Sequence, residues 1–394
     1  MVKTMEEDDA RVKGFFHVIG TDFDDFYLEE LKKQSVHPEM IRESAGDMKI
    51  VYTPLHGTGN VPVRRVLKEL GFKHVYVVEE QKYPDGTFPT VAYPNPEDEK
   101  AWTLALALAE EKDADIILAT DPDADRLGVY AKDAKTGRYV SFTGNMSGML
   151  IAEYILRERT RMGTLPEKAA LVETIVTTDM AKAIAEEYHV ALIEVLTGFK
   201  YIGEQIRIFE ETGSYNYVFG LEESYGCLAG TYARDKDACV AVMMLCEVAA
   251  YYRTQGKTLW DAMVDMYEKY GYYREGLATI TLKGIDGAEK IGKIMEGFRK
   301  EPPKKMGDFK VLAVRDYLEG KRKDLADGKE QVLNLPKSNV MYYELENQAW
   351  CCVRPSGTEP KIKFYFGVRG DSLEDSEQKL NKLKTDMENI SANV

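Results

Sequence analysis

The sequence has few cysteines, and their spacing excludes the usual cysteine-based architectures. Its 394 residues include five cysteines, and no two of them stand in a C-x-x-C arrangement. An odd number without that spacing disfavours both a disulfide framework and a zinc site. Free thiols are typical of a reducing compartment, so we expect a cytoplasmic protein.

Long apolar runs are also absent. No stretch of the chain approaches the run of about 20 apolar residues that a membrane-spanning helix needs. Residues 1–11 are acidic and polar and do not resemble a signal peptide. A hydrophobic content of 44% and a charged content of 30% are typical of a soluble globular protein. We therefore expect no membrane partner.

Positive charge is scarce relative to negative charge. Lysine and arginine together number 52, aspartate and glutamate number 66, and the formal net charge is −14. This balance argues against general nucleic-acid binding, so we expect no nucleic-acid partner. It leaves room for a small phosphorylated ligand, which needs only a local cluster of basic groups.

The order of predicted elements indicates several domains. Short apolar strands alternate with helices in two successive stretches, over residues 46–142 and 143–274, and this order predicts mainly parallel sheets. Two long helices are predicted over residues 238–254 and 259–270. Shorter alternating strands follow in residues 275–394. The predicted fold class is α/β, with successive three-layer α/β domains of mainly parallel mixed sheets, a smaller C-terminal α+β domain, and a helical segment at 1–45.

An acidic loop is the strongest chemical signal in the chain. Residues 120–126 read TDPDADR and directly follow a predicted buried strand at 115–119. Closely spaced carboxylates repel each other unless a cation lies between them, and Mg²⁺ prefers oxygen ligands. The candidate metal ligands are Asp121, Asp123 and Asp125. Arg126 is suited to an accompanying phosphate. An EF-hand is excluded because Arg126 occupies the loop position that requires glycine. A solvated acidic turn is the alternative.

Four other loops carry candidate ligand-binding groups. Residues 354–361 (RPSGTEPK) join two predicted strands and offer the parts of a phosphate-binding nest, although a plain hairpin turn has the same composition. Strand ends at 197–200 and 220–226 present hydroxyl, carboxylate and ammonium groups. Residues 234–237 begin a helix with a lysine between carboxylates, which is also what a capped, solvated helix start contains. The candidate residues are Thr197, Gly198, Lys200, Glu222, Ser224, Lys236, Arg354, Ser356, Gly357 and Thr358.

Together these loops resemble the α-D-phosphohexomutase superfamily, which contains the phosphoglucomutases and phosphomannomutases. Five motifs follow the family's order between residues 50 and 370. They are YTPLHG at 52–57, DPDADR at 121–126, GLEESYG at 220–226, ARDKD at 233–237 and RPSGTEP at 354–360. The chain is most similar to the long-chain phosphoglucomutases that grade into phosphopentomutases.

The resemblance implies a reversible phosphoryl transfer between O1 and O6 of a hexose phosphate, through a phosphoserine and a sugar 1,6-bisphosphate. It implies that Mg²⁺ is held by the three loop aspartates and that Arg126 steadies the phosphoryl group. It implies that Glu222 and Ser224 bind sugar hydroxyls, and that Arg354 and the three residues at 356–358 hold the second phosphate. It also implies that Lys236, together with residues 197–200, contacts the substrate, with Lys236 and Lys200 as candidates for proton transfer.

One expected motif is not found in these 394 residues. The family's phosphoserine lies in a Ser-His-Asn-Pro type run, and none of the five histidines here follows a serine. By resemblance, residues 1–45 correspond to the end of the family's first domain, and 46–142, 143–274 and 275–394 to its metal-, sugar- and phosphate-binding domains. We therefore expect a shortened chain without independent mutase activity. Phosphopentomutase or sugar-bisphosphate synthase activity, a separate serine-bearing subunit and a non-catalytic sugar-phosphate-binding remnant are the alternatives.

Overall fold

The computed structural model describes residues 3–282, 285–356 and 360–392. Three helices precede the first sheet: α1 (Glu7–Val12), α2 (Thr21–Lys32) and α3 (Pro38–Ser44). Leu28 and Leu31 of α2 are completely buried, and so is Ile41 of α3. The second and third helices are therefore part of the packed molecule.

The first sheet has five strands in the order β2-β1-β3-β4-β5. Its elements are β1 (Lys49–Thr53), α4 (Asn60–Leu70), β2 (His74–Val77), α5 (Thr103–Lys112), β3 (Ile116–Thr120), β4 (Leu127–Lys132) and β5 (Tyr139–Phe142). Strands β1, β2 and β3 are parallel to one another, β4 is antiparallel to β3, and β5 is antiparallel to β4. Every residue of β3 is buried, which explains its run of Ile, Leu and Ala. Its carboxyl end leads directly into the acidic loop.

The second sheet repeats this arrangement with four strands in the order β7-β6-β8-β9. Its elements are α6 (Gly144–Met162), β6 (Ala169–Thr174), α7 (Met180–Glu187), β7 (Ala191–Val195), α8 (Phe199–Thr212), β8 (Asn216–Glu222), β9 (Gly226–Ala229), α9 (Ala238–Thr254) and α10 (Leu259–Tyr270). Strands β6, β7 and β8 are parallel, and β9 is antiparallel. Helix α9 is almost entirely buried and packs against α3, α4 and α6. One hydrophobic core therefore spans the first unit, which is built on the first sheet, and the second unit, which is built on the second sheet.

The third sheet is antiparallel, in the order β10-β17-β16-β15-β12-β13-β14, with β11 paired to β12. Its elements are β10 (Tyr272–Thr281), α11 (Ile285–Lys300), β11 (Lys305–Met306), β12 (Phe309–Asp316), β13 (Lys321–Asp324), β14 (Glu330–Val332), β15 (Met341–Leu345), β16 (Trp350–Pro355), β17 (Lys361–Gly370) and α12 (Leu373–Ala392). Strand β10 begins three residues before the expected domain boundary at 275. The predicted fold class is confirmed.

The C-terminal sheet and its helices have a hydrophobic core of their own. A smaller cluster joins this part to the second unit, with Ile175, Val176 and Leu196 packed near Tyr342 and Trp350. Among the helices of the described ranges, none combines the length and the apolar character that crossing a bilayer requires.

Candidate active site

The acidic loop is a tight turn that its own first carboxylate holds in shape. The Oδ1 atom of Asp121 accepts hydrogen bonds from the backbone N–H groups of Asp125 at 3.1 Å and Arg126 at 3.0 Å. Ala124, directly before Asp125, has a left-handed φ of 57°. Folded in this way, Asp121, Asp123 and Asp125 bring one carboxylate oxygen each to within 4.8 Å of one another. The three side chains can therefore contact one ion.

A second loop supports the acidic loop from below. The backbone N–H of Thr58 donates to the carbonyl of Pro122 at 2.8 Å. A Cβ atom on Gly57 would lie 2.4 Å from Cα of Pro122, so only glycine allows this approach. The turn after β1 and the acidic loop after β3 thus lie side by side at the carboxyl edge of the sheet, where open α/β sheets bind ligands.

The chemistry of the loop fits a hard divalent cation. Burial raises the pKa of Asp121 to about 7, and the nearby Asp125 and Asp123 carboxylates add to this against the opposing backbone hydrogen bond from Arg126. The Oδ1 atom of Asp125 is buried and has no hydrogen-bond partner among the described residues. A clustered set of carboxylate oxygens with an unsatisfied buried member is what Mg²⁺ would stabilise.

Two cations of the protein already lie beside this loop. The Nε atom of Arg126 is 3.7 Å from Asp121 Oδ2 and 3.7 Å from Asp125 Oδ1. The Nζ atom of Lys236 is 2.8 Å from Asp125 Oδ2. Burial alone would lower the pKa of Lys236, but the hydrogen bond to Asp125 and the nearby Glu222 raise it above its usual value. The lysine is therefore held as an ammonium ion.

The strand end at 220–226 is attached directly to the acidic loop. The backbone N–H of Leu127 donates to the carbonyl of Tyr225 at 2.9 Å, and that of Ala238 donates to the carbonyl of Ala124 at 3.0 Å. Glu222, the last residue of β8, has its pKa raised by burial, although Lys236 and a hydrogen bond from Ser224 oppose this rise. The loop from the second sheet and the start of α9 therefore form one unit with the acidic loop.

A cavity of about 500 Å³ lies where the three sheets meet. It is lined by six of the residues predicted from the sequence, which are Arg126, Thr197, Gly198, Glu222, Ser224 and Arg354. Lys236, Asp123 and Asp125 line a neighbouring cavity of about 780 Å³. Lys200 lies on the first turn of α8 with its Nζ atom 4.9 Å from the centroid of the Tyr201 ring, and it lines neither cavity.

The loop after β16 is only partly described. The guanidinium of Arg354 lies 5.9 Å from the ring centroid of Tyr365, and its buried Nε atom has no hydrogen-bond partner among the described residues. The backbone N–H of Ser356 donates to the carbonyl of Lys361 at 2.8 Å. Gly357 and Thr358, the other two candidates here, lie outside the described residues. The Arg354 side chain faces the cavity with donor capacity to spare, as an anion site requires.

The cavity also contains residues that the sequence patterns did not predict. Lys363 is the cross-strand partner of Arg354, so the pairing of β16 and β17 puts a second cation beside the first. Asn95 and Glu97 reach the cavity from the segment between β2 and α5, and Glu275 reaches it from β10. Burial raises the pKa of Glu223 to about 7, with Glu222 adding to the effect. The pairing of Arg354 with Lys363 could not be predicted from the sequence, because it depends on the register of the two strands.

Comparison with known proteins identifies the family. Two family models match, "Phosphoglucomutase/phosphomannomutase, alpha/beta/alpha domain II" over residues 25–136 and "Phosphoglucomutase/phosphomannomutase, alpha/beta/alpha domain III" over residues 143–270. A phosphoglucomutase of Staphylococcus epidermidis is 39% identical over 335 residues, covering 85% of this chain and 60% of that protein. One of Staphylococcus aureus is 37% identical over 337 residues, covering 86% and 60%. The chain belongs to the phosphoglucomutase/phosphomannomutase family and spans about 60% of the length of these relatives.

Solved structures share the fold at low sequence identity. The parafusin phosphoglucomutase of Paramecium, in its open form, has a TM-score of 0.64 and 16% identity, covering 93% of this chain and 62% of that one. A phosphoglucomutase/phosphomannomutase family protein of Burkholderia thailandensis has a TM-score of 0.59 and 18% identity, covering 91% and 63%. The two family models and the phosphoglucomutase relatives confirm the resemblance of the chain to this superfamily.

Proposed function

We propose that this chain supplies the metal, sugar and phosphate sites of a phosphoglucomutase or phosphomannomutase, which moves a phosphoryl group between O1 and O6 of a hexose phosphate. The observation that carries the proposal is the cavity of about 500 Å³ lined by Arg126, Glu222, Ser224 and Arg354. A cation from the first sheet, a cation from the third sheet and hydroxyl-binding groups from the second sheet match a ligand with a phosphate at each end of a sugar.

Each side chain has a defined task in this proposal. Asp121, Asp123 and Asp125 hold Mg²⁺, which when bound neutralises charge on the phosphoryl group in flight. Arg126 steadies that group, and Lys236 is the candidate to supply a proton to the departing oxygen. Glu222 and Ser224 bind the sugar hydroxyls, with Thr197 and Gly198 beside them. Arg354, Ser356, Gly357 and Thr358 hold the phosphate that does not react, and Lys200 contacts the substrate.

The reaction also needs a serine that carries the phosphoryl group. Transfer breaks the bond from phosphorus to the serine oxygen and forms one to a sugar hydroxyl, giving a sugar 1,6-bisphosphate that later returns its other phosphoryl group. The characteristic serine run is not found in these 394 residues. We therefore propose that the chain turns over substrate only when a serine-bearing segment is added.

Phosphorus NMR of the purified chain with Mg²⁺, glucose 1-phosphate and catalytic glucose 1,6-bisphosphate tests this directly. We expect no glucose 6-phosphate from the chain alone, and calorimetric binding of the bisphosphate. Arg354→Ala should abolish that binding. Arg322→Ala is the matched control, because Arg322 pairs with Glu344 outside the cavity. Rapid turnover by the chain alone would overturn the dependence on a second segment, and absent binding would overturn the site itself.

A second candidate is a protein that binds sugar phosphates in the same cavity without turning them over. This candidate predicts that hexose and pentose phosphates raise the melting temperature although no added serine-bearing segment produces turnover. Recovery of mutase activity when such a segment from a family member is added would eliminate it. Comparing glucose, mannose and ribose phosphates in the same assays would separate hexose from pentose specificity.

A further inference from the structure

Lys236 lies between two groups of carboxylates that belong to different parts of the site. Its Nζ atom is 2.8 Å from Asp125 Oδ2 in the acidic loop and 3.8 Å from Glu222 Oε1 at the end of β8. Only 14% of the side chain is exposed. A movement of about one ångström would therefore exchange Asp125 for Glu222 as the closer partner.

Hydrogen bonds of Asp237 hold the backbone next to Lys236, and the lysine side chain packs against Gly226. Asp237 caps α9 by accepting from the N–H of Cys239 at 2.7 Å, and its other oxygen accepts from Tyr27 at 2.7 Å and Tyr232 at 2.5 Å. The lysine stem crosses Gly226, where a Cβ atom would lie 2.2 Å from Cδ of the lysine. The fold thus directs the ammonium group to the acidic loop, within reach of both Asp125 and Glu222.

The ammonium group of Lys236 neutralises only part of the negative charge of the carboxylates around it. Asp235 is 3.6 Å from Nζ, and Arg126 is the other cation facing Asp125, at 3.7 Å. Asp125 Oδ1 still has no hydrogen-bond partner among the described residues. Lys236 therefore neutralises one oxygen of a carboxylate whose other oxygen remains unsatisfied, in the place where the proposed function puts a divalent cation.

We propose that Lys236 is an internal counter-cation of the acidic loop that competes with Mg²⁺ for Asp125 and shifts to Glu222 when the metal is bound. This inference rests on the proposed metal site. Lys236 would then be a positioning residue as well as a substrate contact, because metal binding at the acidic loop brings an ammonium group to the carboxylate that holds the sugar. Metal and sugar phosphate would consequently strengthen each other's binding, as two ligands of one switching element do.

Calorimetric titration with magnesium chloride alone tests the competition. Lys236→Met removes an ammonium group that lies 2.8 Å from a ligand carboxylate and opposes a second cation there, so we expect it to bind Mg²⁺ about tenfold more tightly than the parent chain. Lys236→Arg keeps the charge and should bind as the parent does. Lys132→Met is the control, because Lys132 is also ion-paired in the first unit but contacts Asp113, away from the loop.

Thermal unfolding provides a second measurement that also checks folding. In EDTA, Lys236→Met should melt below the parent because its loop carboxylates have lost a cation, and Mg²⁺ should raise its melting temperature by more than it raises the parent's. Equal or weaker Mg²⁺ binding by folded Lys236→Met would overturn this inference and leave the metal site standing. Absence of Mg²⁺ binding by every variant would overturn the metal site and the inference with it.

Discussion

Asp123 differs from the other two loop aspartates in having no structural task. Asp121 shapes the turn and Asp125 contacts Lys236, whereas Asp123 is exposed and has no hydrogen bond or ion pair among the described residues. Asp123→Asn therefore removes a carboxylate charge from the proposed metal site without loosening the fold. We expect Mg²⁺ affinity to fall about tenfold or more in calorimetry.

The matched control for Asp123 is Asp113→Asn, which removes an exposed carboxylate of the same unit away from the loop. Its Mg²⁺ affinity should equal that of the parent chain, and both variants should keep the parent's melting temperature to within a few degrees. An Asp123→Asn chain with unchanged affinity would show that the ion, if bound, uses other ligands.

Glu275 gives the chain a pH dependence of stability. It is half-buried at the start of the C-terminal sheet, where Thr178 Oγ1 donates to its Oε1 at 2.5 Å, and desolvation of its carboxyl group raises its pKa to about 7. The folded protein therefore keeps this proton at a pH where the unfolded chain has lost it. The stabilisation is complete below pH 4.5, the usual value, and is lost as the pH rises to about 7.

Glu275→Gln should remove this loss. Relative to the variant, the parent's free energy of unfolding in urea should fall between pH 5 and pH 8 by on the order of 3 kcal/mol. Glu319→Gln changes an exposed glutamate of the same domain and should show a pH-independent difference from the parent. A parent and Glu275→Gln difference that stays flat over this range would contradict the argument.

The residues that sequence alone could predict are those whose chemistry lies within one short run. Asp121, Asp123 and Asp125 lie within one run of five residues, so their grouping could be predicted without knowledge of the fold. Lys363 joins Arg354 only through the register of β16 and β17, and that pairing has no local signal. The sequence shows Lys236 between two aspartates, but its contact with Asp125 depends on how α9 packs beside the acidic loop.

At the scale of elements, the close contact between the loops after β1 and β3 makes a second prediction about stability. In Gly57→Ala the new Cβ would overlap the backbone of Pro122, which cannot move aside as a flexible side chain could. We expect a loss of about 2 kcal/mol or more in the free energy of unfolding, together with weaker Mg²⁺ binding.

Gly86→Ala is the control for Gly57, because a Cβ at Gly86 would meet no atom within 4 Å. It should change stability by less than about 0.5 kcal/mol. Urea unfolding of the two variants measures the contrast. Equal stability of the two would mean that the loops lie farther apart than the structure has them.

The long helices were predicted correctly because each is an uninterrupted run with a clear start. Helices α9 and α10 occupy the predicted ranges 238–254 and 259–270, since neither run contains glycine or proline and each has a capping residue ahead of it, Asp237 and Thr258. The hairpin of β13 and β14 was not predicted. Its strands, KRKD and EQV, are short, charged and at the sheet edge, so hydrophobic alternation could not reveal them.

On the scale of the whole molecule, the core is divided unevenly. One hydrophobic core spans the first two units, from Leu28 to Tyr273, because α9 packs against helices of both. The C-terminal sheet has a separate core, and only a smaller cluster around Trp350 connects it to the second unit. We therefore expect the molecule to have fewer cooperative unfolding units than sheets.

This division predicts two thermal transitions in differential scanning calorimetry, one for the first two units together and one for the C-terminal domain. Arg354 and Lys363 line the cavity from the C-terminal domain, and Arg126 lines it from the first unit. On the proposed function, a sugar 1,6-bisphosphate bound there would contact both cooperative units, and a ligand that binds only the folded, docked arrangement stabilises it by mass action.

Glucose 1,6-bisphosphate should therefore raise the lower transition and bring the two closer together. Arg354→Ala should lose this effect because the phosphate then has no guanidinium on the C-terminal side, while Arg322→Ala should retain it. A single transition without ligand, with equal calorimetric and van't Hoff enthalpies, would contradict the two-unit core. A ligand effect that persists in Arg354→Ala would mean that Arg354 does not hold the phosphate on the C-terminal side.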